Sequence, residues 1–201
     1  DTHAISDAIM ASSDVRKITF TGSTAVGKTL VAHAAATMKH VSMELGGNAP
    51  LIVFDDADIT AAVAGTIANK FRNAGQVCVA INRIYVHDTI YDEYVTKLGE
   101  AVAGLTVGDG MTPGVAVGPL IDEKALEKVE RHVSDALGKE AELVTGGKRS
   151  PLGGTFYEPT LLSHCSDDMI IAHEETFGPV AACFRFESEK EVLYRANNTP
   201  F

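Results

Sequence analysis

Short strand-like runs alternate with helix-spaced apolar stripes along the chain, and few folds accommodate such an alternation. Val15–Phe20 alternates and stops at Thr21-Gly22, after which Val26, Leu30 and Ala34 recur at helical spacing. Val41–Leu45 and Leu51–Phe54 read as further strands separated by Gly46-Gly47, where glycine opens backbone conformations closed to other residues. Asp58 is placed to cap a helix that carries Ile59, Val63 and Ile67 on one face, runs towards Phe71 and Asn73, and ends at Gly75. Arg83–Val86 reads as a strand, Ile90–Leu105 as an amphipathic helix, and the glycine- and proline-rich segment Thr106–Pro119 as a long loop. Asp122 opens a helix through Leu137, followed by a strand at Glu142–Thr145 and a surface segment near Gly153-Gly154. Pro179–Phe186 is the last strand, and Ser188 caps a helix towards Asn197. Strands separated by helices predict an α/β fold with a mostly parallel sheet.

A chain of 201 residues that is 45% hydrophobic can bury a sizeable core. Its formal net charge of −10 argues against nucleic acid as a partner, because that binding rests on clustered Lys and Arg. An anionic substrate would need a local basic anchor. The apolar stretches are too short to cross a bilayer, and Asp1-Thr2-His3-Ala4 does not begin a signal segment, so no membrane partner is expected. Cys78, Cys165 and Cys183 are odd in number and widely spaced. They suit a reducing compartment, the cytoplasm first and the mitochondrial matrix as the alternative. The histidines form no ligand spacing with Cys, Asp or Glu, so no metal site is predicted.

Two short runs carry chemistry: Met43-Glu44-Leu45-Gly46-Gly47-Asn48-Ala49-Pro50 and Phe71-Arg72-Asn73-Ala74-Gly75-Gln76-Val77-Cys78. A thiolate attacks a carbonyl carbon well, and a positioned carboxylate can activate the water that releases the acyl group. An isolated cysteine is more often a small buried apolar residue. Cys78, however, lies at a helix-to-loop junction rich in small residues, with room for a substrate. Glu44 lies in an otherwise apolar strand, where a carboxylate is costly unless paired or functional. Cys165 and Cys183 have no such setting and read as structural.

A rival reading exists. Gly22-Ser23-Thr24-Ala25-Val26-Gly27-Lys28-Thr29 fits the phosphate-loop pattern of nucleotide hydrolases, and Leu51–Asp55 resembles their strand ending in a metal-binding Asp. That reading needs a loop where Val26 and Leu30 continue a helical stripe that Ser23 or Thr24 can cap. With the helix, the N-terminus faces an anion such as a pyrophosphate. A cofactor-free hydrolase or acyltransferase using Cys78 is a further alternative.

The Glu44 and Cys78 runs resemble the glutamate and cysteine signatures of the aldehyde dehydrogenase superfamily. Phe20-Thr21-Gly22-Ser23-Thr24 and Glu174-Glu175-Thr176-Phe177-Gly178-Pro179 continue the resemblance in the family's order. Glu44–Pro50 and Arg72 are most similar to succinate-semialdehyde dehydrogenases. The resemblance implies that Cys78 is the nucleophile and Glu44 the general base of an NAD- or NADP-dependent aldehyde oxidation. Gly22, Ser23, Leu45, Glu175 and Phe177 would contact the cofactor, and Arg72 would hold the far carboxylate of succinate semialdehyde by paired hydrogen bonds. Ala80 stands where some relatives carry a second cysteine, which removes a disulfide switch of that kind. The resemblance further implies a fragment of a longer enzyme, a homodimer or homotetramer when full length. Residues 1–45 would be the end of a Rossmann-type NAD(P)-binding domain and 46–201 most of an α/β catalytic domain.

Overall fold

Residues 1–201 are described by a computed structural model and divide into two compact units, Asp1–Gly47 and Asn48–Phe201. In the first unit Asp1 caps α1 (Thr2–Ala11) by accepting the His3 N–H at 3.0 Å, and β1 (Lys17–Gly22) follows. Ser23 is extended and its Oγ accepts the Val26 N–H at 3.3 Å, so the chain turns directly into α2 (Thr24–Ala35). β2 (His40–Leu45) lies parallel to β1, with Lys17 opposite His40 and Gly22 opposite Leu45. Gly27 is buried in α2, where a Cβ would come within 2.6 Å of the Leu45 side chain, so its bareness lets the helix pack on the strand. The Lys39 amine donates to the carbonyls of Ser12 at 2.7 Å and Val15 at 2.8 Å, tying the α1–β1 connection to the start of β2. Sequence patterning passes over α1, although Ile5 and Ile9 stand four residues apart in it; Met10 is its one buried residue.

The second unit runs β3 (Ala49–Val53), α3 (Ile59–Lys70), β4 (Ile81–His87), α4 (Tyr91–Ala103), α5 (Glu123–Gly138), β5 (Glu142–Thr145), β6 (Thr160–Ser163), α6 (Ile170–His173), β7 (Val180–Phe186) and α7 (Glu189–Asn197). The strands form one sheet in the order β3-β4-β7-β6-β5, parallel except where β5 meets β6. The fold is therefore α/β with a mostly parallel sheet. Side chains of β4 and β7 such as Ile84, Val86, Cys183 and Phe184 are fully buried, as expected of central strands covered on both faces. Asp58, Asp122 and Ser188 cap α3, α5 and α7 through their side chains. β6 and α6 escape sequence reading, being four residues each and too short to show a period.

Arg83 is a buried cation satisfied by neutral acceptors. Its guanidinium donates to the Asn48 carbonyl at 2.8 and 3.1 Å, to the Arg195 and Ala196 carbonyls at 3.0 and 2.9 Å, and to the Tyr85 hydroxyl at 3.3 Å. The last turn of α7 presents partial negative charge, which suits a guanidinium there. The contact pins Asn48, where the unit begins, to its last helix. Cys165 and Cys183 belong to the core, where burial pushes the Cys165 thiol up to about 12 and Cys183 well above the ordinary thiol range. No helix is long and apolar enough to cross a membrane.

Candidate active site

The thiol loop begins earlier than the sequence suggests. α3 stops at Lys70 rather than at Gly75, and the chain then makes a short turn over Arg72–Gly75 in which Asn73, Ala74 and Gly75 have φ of 52°, 55° and 74°. Successive left-handed residues end the α-helical ladder, and Asn side chains supply bonds in its place. Asn69 Oδ1 accepts the Ile81 N–H at 2.8 Å, and Asn73 Nδ2 donates to the Gln76 carbonyl at 3.1 Å. Gln76 bridges outward: its Nε2 donates to the Asn73 and Pro119 carbonyls at 3.1 and 3.2 Å, and its Oε1 accepts the Ile121 N–H at 2.8 Å. Cys78 sits within a turn closed by the Ala80 N–H on the Val77 carbonyl at 2.9 Å. Its thiol is free and exposed. Arg72 is exposed as well and enters no ion pair.

Gly75 also joins this loop to the Glu174–Gly178 turn. A Cβ at Gly75 would overlap the Gly178 carbonyl, so the two backbones meet only because residue 75 is glycine. Phe177 in that turn has φ 52° and is half-buried, as is Glu175. The turn is braced from below. Thr176 donates its N–H to Asn82 Oδ1 at 3.4 Å and pairs through Oγ1 with His132 Nδ1 at 3.1 Å. His132 Nε2 lies 3.3 Å from Glu174, which Arg131 also holds at 2.9 Å. Burial pushes His132 down to about 4, outweighing the Glu174 hydrogen bond, so the ring is neutral at physiological pH. The second unit thus brings Cys78, Arg72, Glu175 and Phe177 onto two mutually packed segments.

In the first unit the candidate residues cluster at the carboxyl ends of paired parallel strands, where ligands of open α/β sheets bind. Thr21 is opposite Glu44 and Gly22 opposite Leu45; Ser23 caps α2, and Thr24 Oγ1 donates to the Gly46 carbonyl at 3.1 Å. Glu44 is exposed, so the expectation of a costly carboxylate in an apolar strand is wrong: β2 alternates there, and Glu44 falls on the open face. Residues 24–29 are helical, which removes the loop a phosphate-loop hydrolase requires. A cavity of about 520 Å³, missed by sequence reading, is lined by Ile5, Ile9, Ile18, Phe20, Val26 and Leu30. Its α1 wall carries Ile5 and Ile9 at a four-residue spacing, the signal that could have found it.

The fold of the second unit, a mostly parallel α/β sheet with an exposed free thiol on a clamped loop, is one that known families share. The aldehyde dehydrogenase family profile matches residues 1–201, and the chain belongs to that family. It is 59% identical over 187 residues to 3-sulfolactaldehyde dehydrogenase of Pseudomonas putida, covering 93% of this chain and 38% of that protein. Mitochondrial succinate-semialdehyde dehydrogenase of Arabidopsis thaliana is 57% identical over 195 residues, covering 97% of this chain and 37% of the relative. The crystal structure of succinate-semialdehyde dehydrogenase from Burkholderia pseudomallei superposes with a TM-score of 0.98 at 55% identity, covering 100% of this chain and 42% of that one. The chain therefore spans about two fifths of the length of these relatives.

Proposed function

We propose that this chain is the thiol-bearing part of an NAD- or NADP-dependent dehydrogenase that oxidises succinate semialdehyde to succinate. The observation that carries the proposal is the Cys78 loop: an exposed thiol on a backbone clamped by Asn69, Asn73 and Gln76, with the unpaired guanidinium of Arg72 at its start. Cys78 Sγ adds to the aldehyde carbon to give a tetrahedral thiohemiacetal. That adduct loses the aldehyde hydrogen as hydride and becomes a thioester. A bound nicotinamide dinucleotide would supply the hydride acceptor. Glu44 takes a proton from water, the hydroxide attacks the thioester carbon, and the acid leaves as the Cys78 thiolate is restored.

The first unit suits a dinucleotide. Its cavity is apolar and borders Val26 in the first turn of α2, so a flat base can lie beside a helix N-terminus whose free N–H groups favour a phosphate. Gly22 and Ser23 hold that half, while Leu45, Glu175 and Phe177 hold the ribose and nicotinamide. We assign the full-length protein to the cytoplasm, with the mitochondrial matrix as alternative, as a homodimer or homotetramer.

Cys78→Ala in the full-length protein should abolish aldehyde-dependent NAD(P)H formation while leaving dinucleotide affinity intact; substantial residual turnover would remove the nucleophile assignment. Arg72→Ala should raise KM for succinate semialdehyde by roughly tenfold to a hundredfold, the worth of a charge-assisted pair, and leave an uncharged aldehyde nearly unaffected. Equal effects on both would end the anchor role. The Pseudomonas putida relative acts on a sulfo-substituted aldehyde, so 3-sulfolactaldehyde is the second substrate to assay.

A further inference from the structure

Lys70 closes α3 and is fully buried, yet nothing in the chemistry above uses it. Lysine is almost never fully buried unless paired, because an ammonium out of water is costly. The Lys70 amine has Asn82 Oδ1 at 3.5 Å, and that oxygen also accepts the Thr176 N–H at 3.4 Å. The carboxylate acting on the amine is Glu175, the next residue after Glu174 in the braced turn. Phe177, two residues further on, is left-handed, so this segment rests on outside support rather than on its own preference.

The other charges around this spot are already engaged. Arg131 and His132 of α5 hold Glu174, and Arg83 of β4 is spent on carbonyls. Lys128 of α5 feels both Glu175 and Glu174. Glu175 is therefore the acid that Lys70 addresses, from the buried side of the turn, while Lys128 acts on it from α5.

We propose that Lys70 is a positioning residue for cofactor binding: from beneath the turn its amine, together with Asn82, holds Glu175 and Thr176 so that the Glu175 carboxylate is already aligned for the ribose of the dinucleotide. The proposal rests on the dehydrogenase reading and deepens it. Burial lowers Lys70 to about 7 against the opposing pull of Glu175, so the amine changes charge within the working range of pH. The charged form grips Glu175; the neutral form releases it.

The test is the dissociation constant of NADH and NADPH for the full-length protein, followed by fluorescence from about pH 6 to about pH 9, the window that brackets a group at about 7. The wild-type affinity should weaken several-fold as pH rises through neutrality. Lys70→Met should show the weaker value at every pH, and Lys70→Gln serves if that variant does not fold. In a Glu175→Gln background the same substitution should have a much smaller effect and no pH dependence, since the carboxylate on which the Lys70 charge acts is gone. An equal loss in both backgrounds would mean a merely structural lysine and overturn the proposal. A wild-type profile without an inflection near neutrality would overturn it with no variant needed. A protein that binds dinucleotide normally but gives such results fails this proposal alone; one that binds neither nucleotide fails the dehydrogenase reading as well.

Discussion

The loop that carries Cys78 and the strand end that carries Glu44 are built in opposite ways. Asn69, Asn73 and Gln76 fasten the Cys78 loop to backbone groups outside and across it, and Gly75 presses it against Gly178. Glu44 ends a two-stranded sheet on its open face, and a side-chain bond from Thr24 to Gly46 ties the turn that follows. A nucleophile gains rate from being aimed before substrate arrives, because misplacement by about 1 Å can cost a hundredfold. A base that must act on water only after the acyl group has formed can be free until then. Under the proposed mechanism, rigidity falls to the residue that begins the reaction and freedom to the one that ends it.

The most damaging way to break the rigid side is Gly75→Ala. The added Cβ overlaps the Gly178 carbonyl, and φ of 74° is strained for any L side chain. Close backbone approach and positive φ together predict a loss of about 3 kcal/mol or more in denaturant unfolding. Because the same contact seats the Glu175–Phe177 turn, dinucleotide affinity and Cys78 alkylation rate should change together. A variant as stable as wild type, with an unchanged alkylation rate, would show that the loop is not held by this contact.

His132 offers a gentler probe of the same side, through pH. It titrates at about 4 when folded and about 6.5 when unfolded. Above about 6.5 it is neutral in both states. Between about 6.5 and about 4 the unfolded chain takes up the proton and the folded one does not, so stability must fall as pH is lowered through that window. The loss at its acid end is of the order of a few kcal/mol. His132→Gln should flatten the slope of unfolding free energy against pH there, and an unaltered slope would place the acid sensitivity elsewhere.

These partners explain what the sequence concealed. Caps were legible because the acceptor lies within three residues of the donor: Ser23 on Val26, Asp58 on Ala61, Asp122 on Ala125. Cys78 and Glu44 stood out by their neighbours, and the strand-helix alternation foretold the parallel sheet. Gly75 was legible only as a helix end, although its demand comes from Gly178, far along the chain. Gln76 looked like a nearby polar group, but its amide reaches Pro119 and Ile121. Lys70 and His132 carried no signal, since periodicity marks which residues are buried only when those residues are apolar.

The smallest effect belongs to the free side. Thr24→Val keeps the β-branched shape and removes the hydroxyl that donates to the Gly46 carbonyl. A bond of this kind contributes about 1 kcal/mol, and the carbonyl is half-buried and can turn to water once released, so global stability should shift by less than that. The local consequence is larger. With the Thr24 tether gone, the Gly46-Gly47 segment should open more often, which amide hydrogen exchange at those residues would report as faster exchange, while amides at Gln76 and Ala80 stay as protected as before. If Glu44 works by being re-aimed late in the reaction, release of the acid should be unchanged or faster in this variant and aldehyde attack by Cys78 unaffected. Slower thioester hydrolysis instead would mean that the Thr24 bond aims Glu44 as the amide clamps aim Cys78, and the two halves of the chemistry would then be equally preorganised.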